Sequence, residues 1–490
     1  MLPRMNGLPV FPSLRITPDG LYARGSFAEA QKTFLTPDLA VVRELDALLR
    51  ERHIGVVAHY YMDPELQGVL ASCEWEHIGV SDSLLMADRG VKMVDAGVRT
   101  VVVLGVDFMS ENARAMLDAA GHAEVPVYRV AADPIGCSLA ESAEARAYGA
   151  YLTEAQRTDK ALHVVYINTS LVTKAKAHHL VPTITCTSSN VVQTVLQAAA
   201  QEPDVAIFFG PDTYMGANLR ARFEGLATLD DAAIRAVHPA HDRKSIARLL
   251  ERFRYFEQGT CIVHHMFGDE VVQLVNEHYA DAFVTAHLEV PGEMFALGLE
   301  AQQNDRGVVG STSNILAFIE RKVSEAVAAG GTDTLRFVLG TEAGMITPIV
   351  KNVQRVLREG GARFDAEIVF PVAEEAVSMT GDASLPIVPG VKGGEGCSTA
   401  GGCATCPYMK MNSLTALLDL CRRIEVVEGV DLAPFEPKKY VERIAGRTAA
   451  DLGGEPILHM RAFQQEGVLP ETLVEDIRTR FDRRSTLPHR

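Results

Sequence analysis

Short apolar runs that alternate with longer helical stretches constrain this chain more than any other feature. The runs are Gly55–His59, Thr100–Val106, Val125–Val130, Leu162–Asn168, Val205–Phe209, Cys261–His264, Ala282–His287, Gly307–Gly310 and Arg336–Gly340. Most are apolar on both faces, and such a strand needs helices on both sides of its sheet. Strands of this kind alternating with helical segments predict an α/β chain with parallel sheets.

The polar punctuation after these strands repeats. Three strands end in a polar residue, in AHYY (His59), YINTS (Asn168) and AHLEVP (His287). Each is followed by a hydroxyl-rich turn that opens a helix: SDSLLMA (Ser83), CTSSNVVQ (Ser188) and GSTSNILAF (Ser311, Thr312). Each then reaches a strand ending in glycine, an acid and methionine: GVDFM (Asp107), GPDTYMG (Asp212) and GTEAGM (Glu342). One order kept three times reads as triplication, against the plainer reading that any α/β chain shows strand–turn–helix units. The expected division is a 1–50 N-terminal extension, repeats at 51–137, 138–261 and 262–412, and a 413–490 C-terminal helical segment and tail. The lead, with a helix at Leu39–Arg52, the helical insertion Ala217–Glu257, the Gly/Pro-rich loop Asp382–Gly402 and a charged, fraying tail after Phe463 read as peripheral.

A hydrophobic share of 47% with 22% charged residues excludes a wholly disordered chain. A net charge of −16 argues against broad nucleic-acid binding but not against local cationic pockets for small anions. No window is apolar enough to span a membrane, and the N-terminus has no signal-type apolar core. The expectation is a soluble, cytoplasmic protein with small-molecule substrates, no nucleic-acid partner and no membrane. Eight cysteines in such a chain are then buried thiols, metal ligands or catalytic thiols rather than a disulfide framework.

Each repeat has one cysteine soon after its last strand: Cys137 in DPIGCSLA, Cys261 in QGTCIVHH and Cys406 in CATCPYM. If the repeats pack around a pseudo-threefold axis, these thiols converge. Three thiolates suit an iron–sulfur cluster that leaves one iron without protein sulfur. Such an iron can act as a Lewis acid on a hydroxyl or carbonyl oxygen. The plainer alternative makes Cys137 and Cys261 small buried hydrophobes. Cys73, Cys186 and Cys421 sit in apolar contexts and read as core, while Cys397 and Cys403 are ambiguous.

His59, Tyr61, Tyr166, Asn168, His264, His287 and Glu289 lie at or just past strand ends, where open parallel sheets bind ligands. Ser83, Ser188, Ser311 and Thr312 stand where helices begin, and serve either anions or simple N-capping. Glu289 follows His287 by two residues, so in an extended segment both point to one side. They form an acid/base pair or a surface glutamate beside a core histidine. Asp107, Asp212 and Glu342 read as anchors of backbone amides rather than catalytic acids.

These motifs resemble the quinolinate synthase family, the iron–sulfur enzymes of bacterial and archaeal NAD biosynthesis. The likeness runs from about Val56 to Phe463 through AHYYMDPELQ, SDSLLMA, GVDFMSENA, YINTS, TCTSSN, GPDTYMG, GTCIVHHMF, AHLEVP, GSTSNIL, GTEAGM and CPYMKMN. It implies three similar α/β/α domains with short parallel sheets around a pseudo-threefold axis. It also implies a central [4Fe–4S] cluster held by Cys137, Cys261 and Cys406. Cys397 and Cys403 then belong to a cysteine-rich variant of the loop, as a disulfide or as idle thiols. The implied transferase reaction condenses iminoaspartate with dihydroxyacetone phosphate to quinolinate, phosphate and two waters. Functional coupling to the enzyme that makes iminoaspartate is a further implication.

Carried over motif by motif, the substrate contacts fall on His59, Tyr61, Ser83, Tyr166, Asn168, Ser188, His264, His287, Ser311 and Thr312. Glu289 falls on the catalytic carboxylate. Glu289 and Tyr61 are the expected proton-transfer groups, with His59 and His287 beside them in the catalytic set. Rival readings are a zinc-stapled anion-binding protein, a thiol redox protein using Cys403 and Cys406, and a metal-dependent aldolase or dehydratase acting on another small phosphate.

Overall fold

The computed structural model describes residues 10–371, 406–424 and 431–485. The chain divides into two compact units, Met1–Asp82 with Ile262–Asp431, and Ser83–Cys261 with Leu432–Arg490. The architecture is α/β, with short parallel sheets flanked by helices, as the alternating runs predict.

The strands in chain order are β1 (Ser13–Ile16), β2 (Leu21–Arg24), β3 (Ile54–His59), β4 (Ile78–Ser81), β5 (Thr100–Leu104), β6 (Val127–Arg129) and β7 (Ala161–Tyr166). They continue with β8 (Thr183–Cys186), β9 (Ala206–Gly210), β10 (Phe253–Tyr255), β11 (Phe283–His287), β12 (Gly307–Gly310), β13 (Leu335–Gly340) and β14 (Ala366–Val369). In the second unit β8-β7-β9-β10 form one parallel sheet. In the first unit β12-β11-β13-β14 form another with the same order of strands, second, first, third, fourth. The strands of the first repeat show the matching pairs, β3 with β4 and β5 with β6, also parallel. Each unit thus holds the full order once, and its outer pairs occur a third time along the chain.

That scheme explains the repeated punctuation. The first strand of each repeat runs beside the second, so His59 stands in register with Ser81, Tyr166 with Cys186 and His287 with Gly310. The hydroxyl turns follow those second strands directly, which puts polar groups at one sheet edge. β3 and β7 are buried along their whole length, which is why they lack polar alternation.

Four expectations need correction. Cys261–His264 is not a strand: Ile262 and Val263 lie in a turn, and His264–Met266 is a 3-10 helix. The β-branched run looks like a strand, but no neighbouring strand pairs with it, and pairing decides β structure more than propensity. The N-terminal lead is not peripheral. β1 pairs antiparallel with β14 and with β2, and Leu14 and Ile16 enter the core with Phe337, Leu339, Ile349, Ile368 and Phe370. The tail does not fray along its length. Glu471–Ser485 is helical, with Leu473, Val474 and Ile477 buried and Arg478 2.9 Å from Glu202. The Ala217–Glu257 stretch is helical as expected over Thr213–Thr228, Asp231–Val237 and Arg243–Arg252, but it is not wholly a helical insertion: Phe253–Tyr255 is β10 and pairs with β9 in the sheet. The Asp382–Gly402 loop, Cys397 and Cys403 lie outside the described residues.

Among the described residues no helix is long and apolar enough to cross a membrane.

Candidate active site

The first unit gathers a buried polar cluster from the ends of β3 and β11 and the 3-10 turn at His264. His59 closes β3 and His287 closes β11; each Nδ1 accepts the backbone N–H two residues on, from Tyr61 at 3.1 Å and from Glu289 at 3.4 Å. One local motif therefore orients both rings. A ring nitrogen that accepts must be unprotonated, so Nε2 carries the hydrogen in both. Burial pushes His59 down to about 4 and His287 down to about 3, with the Glu289 carboxylate opposing in each case. Both are neutral imidazoles near pH 7, each with one N–H to offer.

His264 stacks on His287 with ring centroids 4.7 Å apart and planes 14° apart. Glu289 lies between them, with Oε2 3.2 Å from His264 Nδ1 and Oε1 3.5 Å from His287 Nδ1. Glu289 is 2% exposed, so it is not the surface glutamate of the plainer reading. His264 is fully buried; its Nδ1 meets only the Glu289 carboxylate, and its Nε2 has no hydrogen-bond partner among the described residues. A buried polar group left this way costs about 1–3 kcal/mol. Tyr61 closes the cluster. Its ring is 4.7 Å from His59, 6.0 Å from His264 and 6.5 Å from His287, and its hydroxyl is 3.3 Å from Thr341 Oγ1.

Two supporting residues escaped sequence reasoning. Gln67 Nε2 lies 2.7–2.8 Å from the carbonyls of Tyr60, Met62 and Gly344, tying the segment after β3 to the turn after β13. Gly344 permits that approach, since a Cβ there would stand 2.6 Å from the Tyr60 carbonyl oxygen. Thr341 precedes Glu342 in GTEAGM and meets the Tyr61 hydroxyl. Its only sequence signal is its place at the end of an apolar strand.

The hydroxyl turns divide. Ser311, beside Thr312 at the end of β12, forms a capping box with Asn314, so capping does occur there. Both are buried. In the second unit Ser83 opens the helix Ser83–Asp95 and is buried. Tyr166 ends β7 buried, while Asn168 and Ser188 are half-buried. The helix after Ser188 has Asn190, not Ser188, at its N-cap.

The cysteine loops are held at both units. In the second unit Cys137 is the N-cap residue of Ser138–Glu144, and Ser138 Oγ donates to the Thr260 carbonyl at 3.0 Å, so the residues adjoining Cys137 and Cys261 touch. In the first unit the Cys406 amide donates to Glu342 Oε1 at 2.6 Å. All three thiols are half-buried, whereas Cys186 and Cys421 are core residues, as expected. Burial keeps the Glu342 carboxyl well above the usual range, opposed by the Cys406 amide and by Lys410 and reinforced by Glu289 and Asp63. Each of these cysteines thus presents a partly exposed thiol from an anchored loop, the donor chemistry an iron–sulfur group requires.

A model of the family described as quinolinate synthetase A protein, NadA, matches residues 43–359. The chain is 54% identical over 482 residues to the chloroplastic quinolinate synthase of Nicotiana tabacum, covering 96% of this chain and 67% of that protein. It is 53% identical over 481 residues to the chloroplastic quinolinate synthase of Arabidopsis thaliana, across 95% of this chain and 67% of the other. A bacterial quinolinate synthase, from Prosthecochloris aestuarii, is 28% identical over 308 residues, 63% of this chain and 73% of that one. The chain spans about two thirds of the length of the plant relatives. The chain belongs to the quinolinate synthase family of enzymes.

The cytoplasmic placement is corrected by these comparisons, because the plant relatives carry "chloroplastic" in their names. The expectation rested on a missing apolar signal core. Plastid leaders lack such a core too, being amphipathic and rich in Arg and Ser, so its absence does not separate the two compartments.

Proposed function

We propose that this chain makes quinolinate by condensing iminoaspartate with dihydroxyacetone phosphate, releasing phosphate and two waters, as a step of NAD biosynthesis. The compartment we attach to it is the plastid of its named plant relatives. The observation that carries the reading is the buried Glu289 set between His264 and His287 beside Tyr61. A buried carboxylate flanked by two imidazole rings can accept and return protons in a dry site.

The substrates bring two carboxylates and a phosphate, which must be met by fixed donors if they are to leave water. His59, His287 and Tyr61 supply such donors in the first unit, with His264, Ser311 and Thr312. Ser83, Tyr166, Asn168 and Ser188 supply them in the second. Holding both reactants this way turns a bimolecular condensation into an effectively unimolecular one. Glu289 removes a proton from carbon, and the Tyr61 hydroxyl, near Thr341, returns one to a departing oxygen. The neutral Nε2–H groups of His59 and His287 orient carboxylate oxygens without adding charge.

Cys137, Cys261 and Cys406 would hold a [4Fe–4S] cluster, one sulfur from each of three repeats arranged about a pseudo-threefold axis. When bound, its open iron supplies Lewis acidity toward a substrate hydroxyl. Functional coupling to the enzyme that forms the unstable iminoaspartate follows from the same reading.

The test is an anaerobic assay of the purified chain for quinolinate, with iron, sulfide and zinc measured on the same sample. Quinolinate formed by a brown protein with equal iron and sulfide is the expected result. A colourless zinc protein that forms none would sink the proposal.

A further inference from the structure

The turn that ends the third strand of each repeat touches the segment carrying that repeat's cysteine. In the first repeat the Asp107 amide donates to the Ile135 carbonyl at 2.9 Å, and the Ile135 amide donates back to Asp107 Oδ1 at 3.1 Å. In the second, the Thr213 amide donates to the Gly259 carbonyl at 2.7 Å, and the Gly259 amide donates back to Thr213 Oγ1 at 2.9 Å. Ile135 and Gly259 each stand two residues before the cysteine, Cys137 and Cys261. The same two-bond clamp is thus made at the same offset with different side chains, a carboxylate in one repeat and a hydroxyl in the other. In the third repeat the buried Glu342 takes the amide of Cys406 itself at 2.6 Å.

We propose that Asp107, Thr213 and Glu342 are positioning residues that set the loops presenting Cys137, Cys261 and Cys406 to their shared inorganic group. The proposal rests on the reading that these three cysteines hold that group. Loops are the mobile parts of a fold. Two residues span at most about 7 Å of extended chain, so fixing the backbone at that offset confines the sulfur. Outer partners that orient metal ligands commonly change metal affinity about 10–100-fold when lost.

Helix capping does not account for the contacts. In the second repeat Asp212 caps its helix through the Met215 amide at 2.7 Å, while the neighbouring Thr213 makes the clamp, so the two tasks fall on different residues. Gly259 reinforces the point: a Cβ there would stand 2.1 Å from the Pro211 carbonyl oxygen, so the loop is seated directly on the strand-end turn. Asp107 is further oriented by Arg129 Nη1 at 2.6 Å.

The experiment compares the full chain with Glu342→Ala, Glu342→Gln and Thr213→Val, all purified anaerobically and checked for fold by circular dichroism. Iron and sulfide content, the electron paramagnetic resonance of the reduced cluster and the rate of iron loss to excess chelator are measured. Glu342→Ala is expected to lose iron about 10–100-fold faster with an altered resonance, and Thr213→Val about tenfold faster. Glu342→Gln keeps an acceptor oxygen and is expected within a few-fold of the parent. Where Glu342→Ala does not fold, Thr213→Val decides. Parent-like iron loss and resonance in the folded variants would overturn the clamp and leave the cluster standing. A parent protein without iron and sulfide would overturn the cluster reading and the clamp with it.

Discussion

Two buried polar clusters, one in each unit, look alike in composition and differ in how they are satisfied. In the second unit Lys174, fully buried, donates its Nζ to the carbonyls of Ile167, at 3.1 Å, and Thr169. Glu111 accepts from the Leu171 amide at 3.1 Å and from the Tyr440 hydroxyl at 2.9 Å. His163 has Tyr148 Oη 2.8 Å from Nε2 and Thr183 Oγ1 3.4 Å from Nδ1. Each of these groups is used up by the fold. In the first unit His264 Nδ1 meets only the Glu289 carboxylate, at 3.2 Å, and His264 Nε2 is buried with no hydrogen-bond partner among the described residues. A buried polar atom that the protein leaves unpaired is open to a partner from outside the fold. The comparison separates a cluster kept for architecture from one kept for reactants.

The comparison breaks if the two clusters respond alike to substitution. Glu289→Gln keeps the shape of the first cluster and removes its base. Quinolinate formation should fall about 10²–10⁴-fold with the iron content unchanged, and near-normal turnover would take Glu289 out of the chemistry. Lys174→Met in the second cluster should act the other way. It strands two carbonyls and should cost about 3 kcal/mol in unfolding free energy, with turnover per folded molecule preserved. A fall in turnover at full stability would show that this cluster also serves the reaction.

Acid sharpens the contrast between neutral and charged histidines. His59 and His287 are held down at about 4 and about 3, below the ordinary 6.5. Above that ordinary value both folded and unfolded chains carry neutral rings, and the difference vanishes. As pH falls below it, the unfolded chain binds protons that the folded chain refuses. Stability is therefore lost progressively from about pH 6.5 down to about pH 3–4, by roughly 2 kcal/mol per ring at about pH 5. Urea unfolding at about pH 7 and about pH 5 measures this, and equal midpoints would contradict the burial of neutral imidazoles.

Much of the framework was legible because fully buried parallel strands are uninterrupted apolar runs. Gly307–Gly310 is a strand with the expected ends, and β3, β5, β7, β9, β11 and β13 lie within one or two residues of expectation. β4, with IGVS, and β8, with TITC, are four-residue strands rich in small or hydroxyl residues, and their apolar signal is too brief to read. β1 and β2 join the sheet only through long-range pairing with β14, which no local pattern encodes. His59, Tyr61, His287 and Glu289 were legible because strand ends host ligands in parallel sheets. The stacking of His264 on His287 depends on a turn where a strand was expected. Gln67 and Thr341 act through contacts about 280 residues apart along the chain, beyond any spacing rule.

The most direct test is His264→Phe, with unfolding free energy and quinolinate turnover measured on the same preparation. An apolar ring of similar size removes the unpaired Nε2 and the Nδ1 contact with Glu289. Stability should hold or rise, while turnover per folded molecule falls at least about tenfold. A loss of several kcal/mol in stability with unchanged turnover would contradict the account, because His264 would then belong to the architecture.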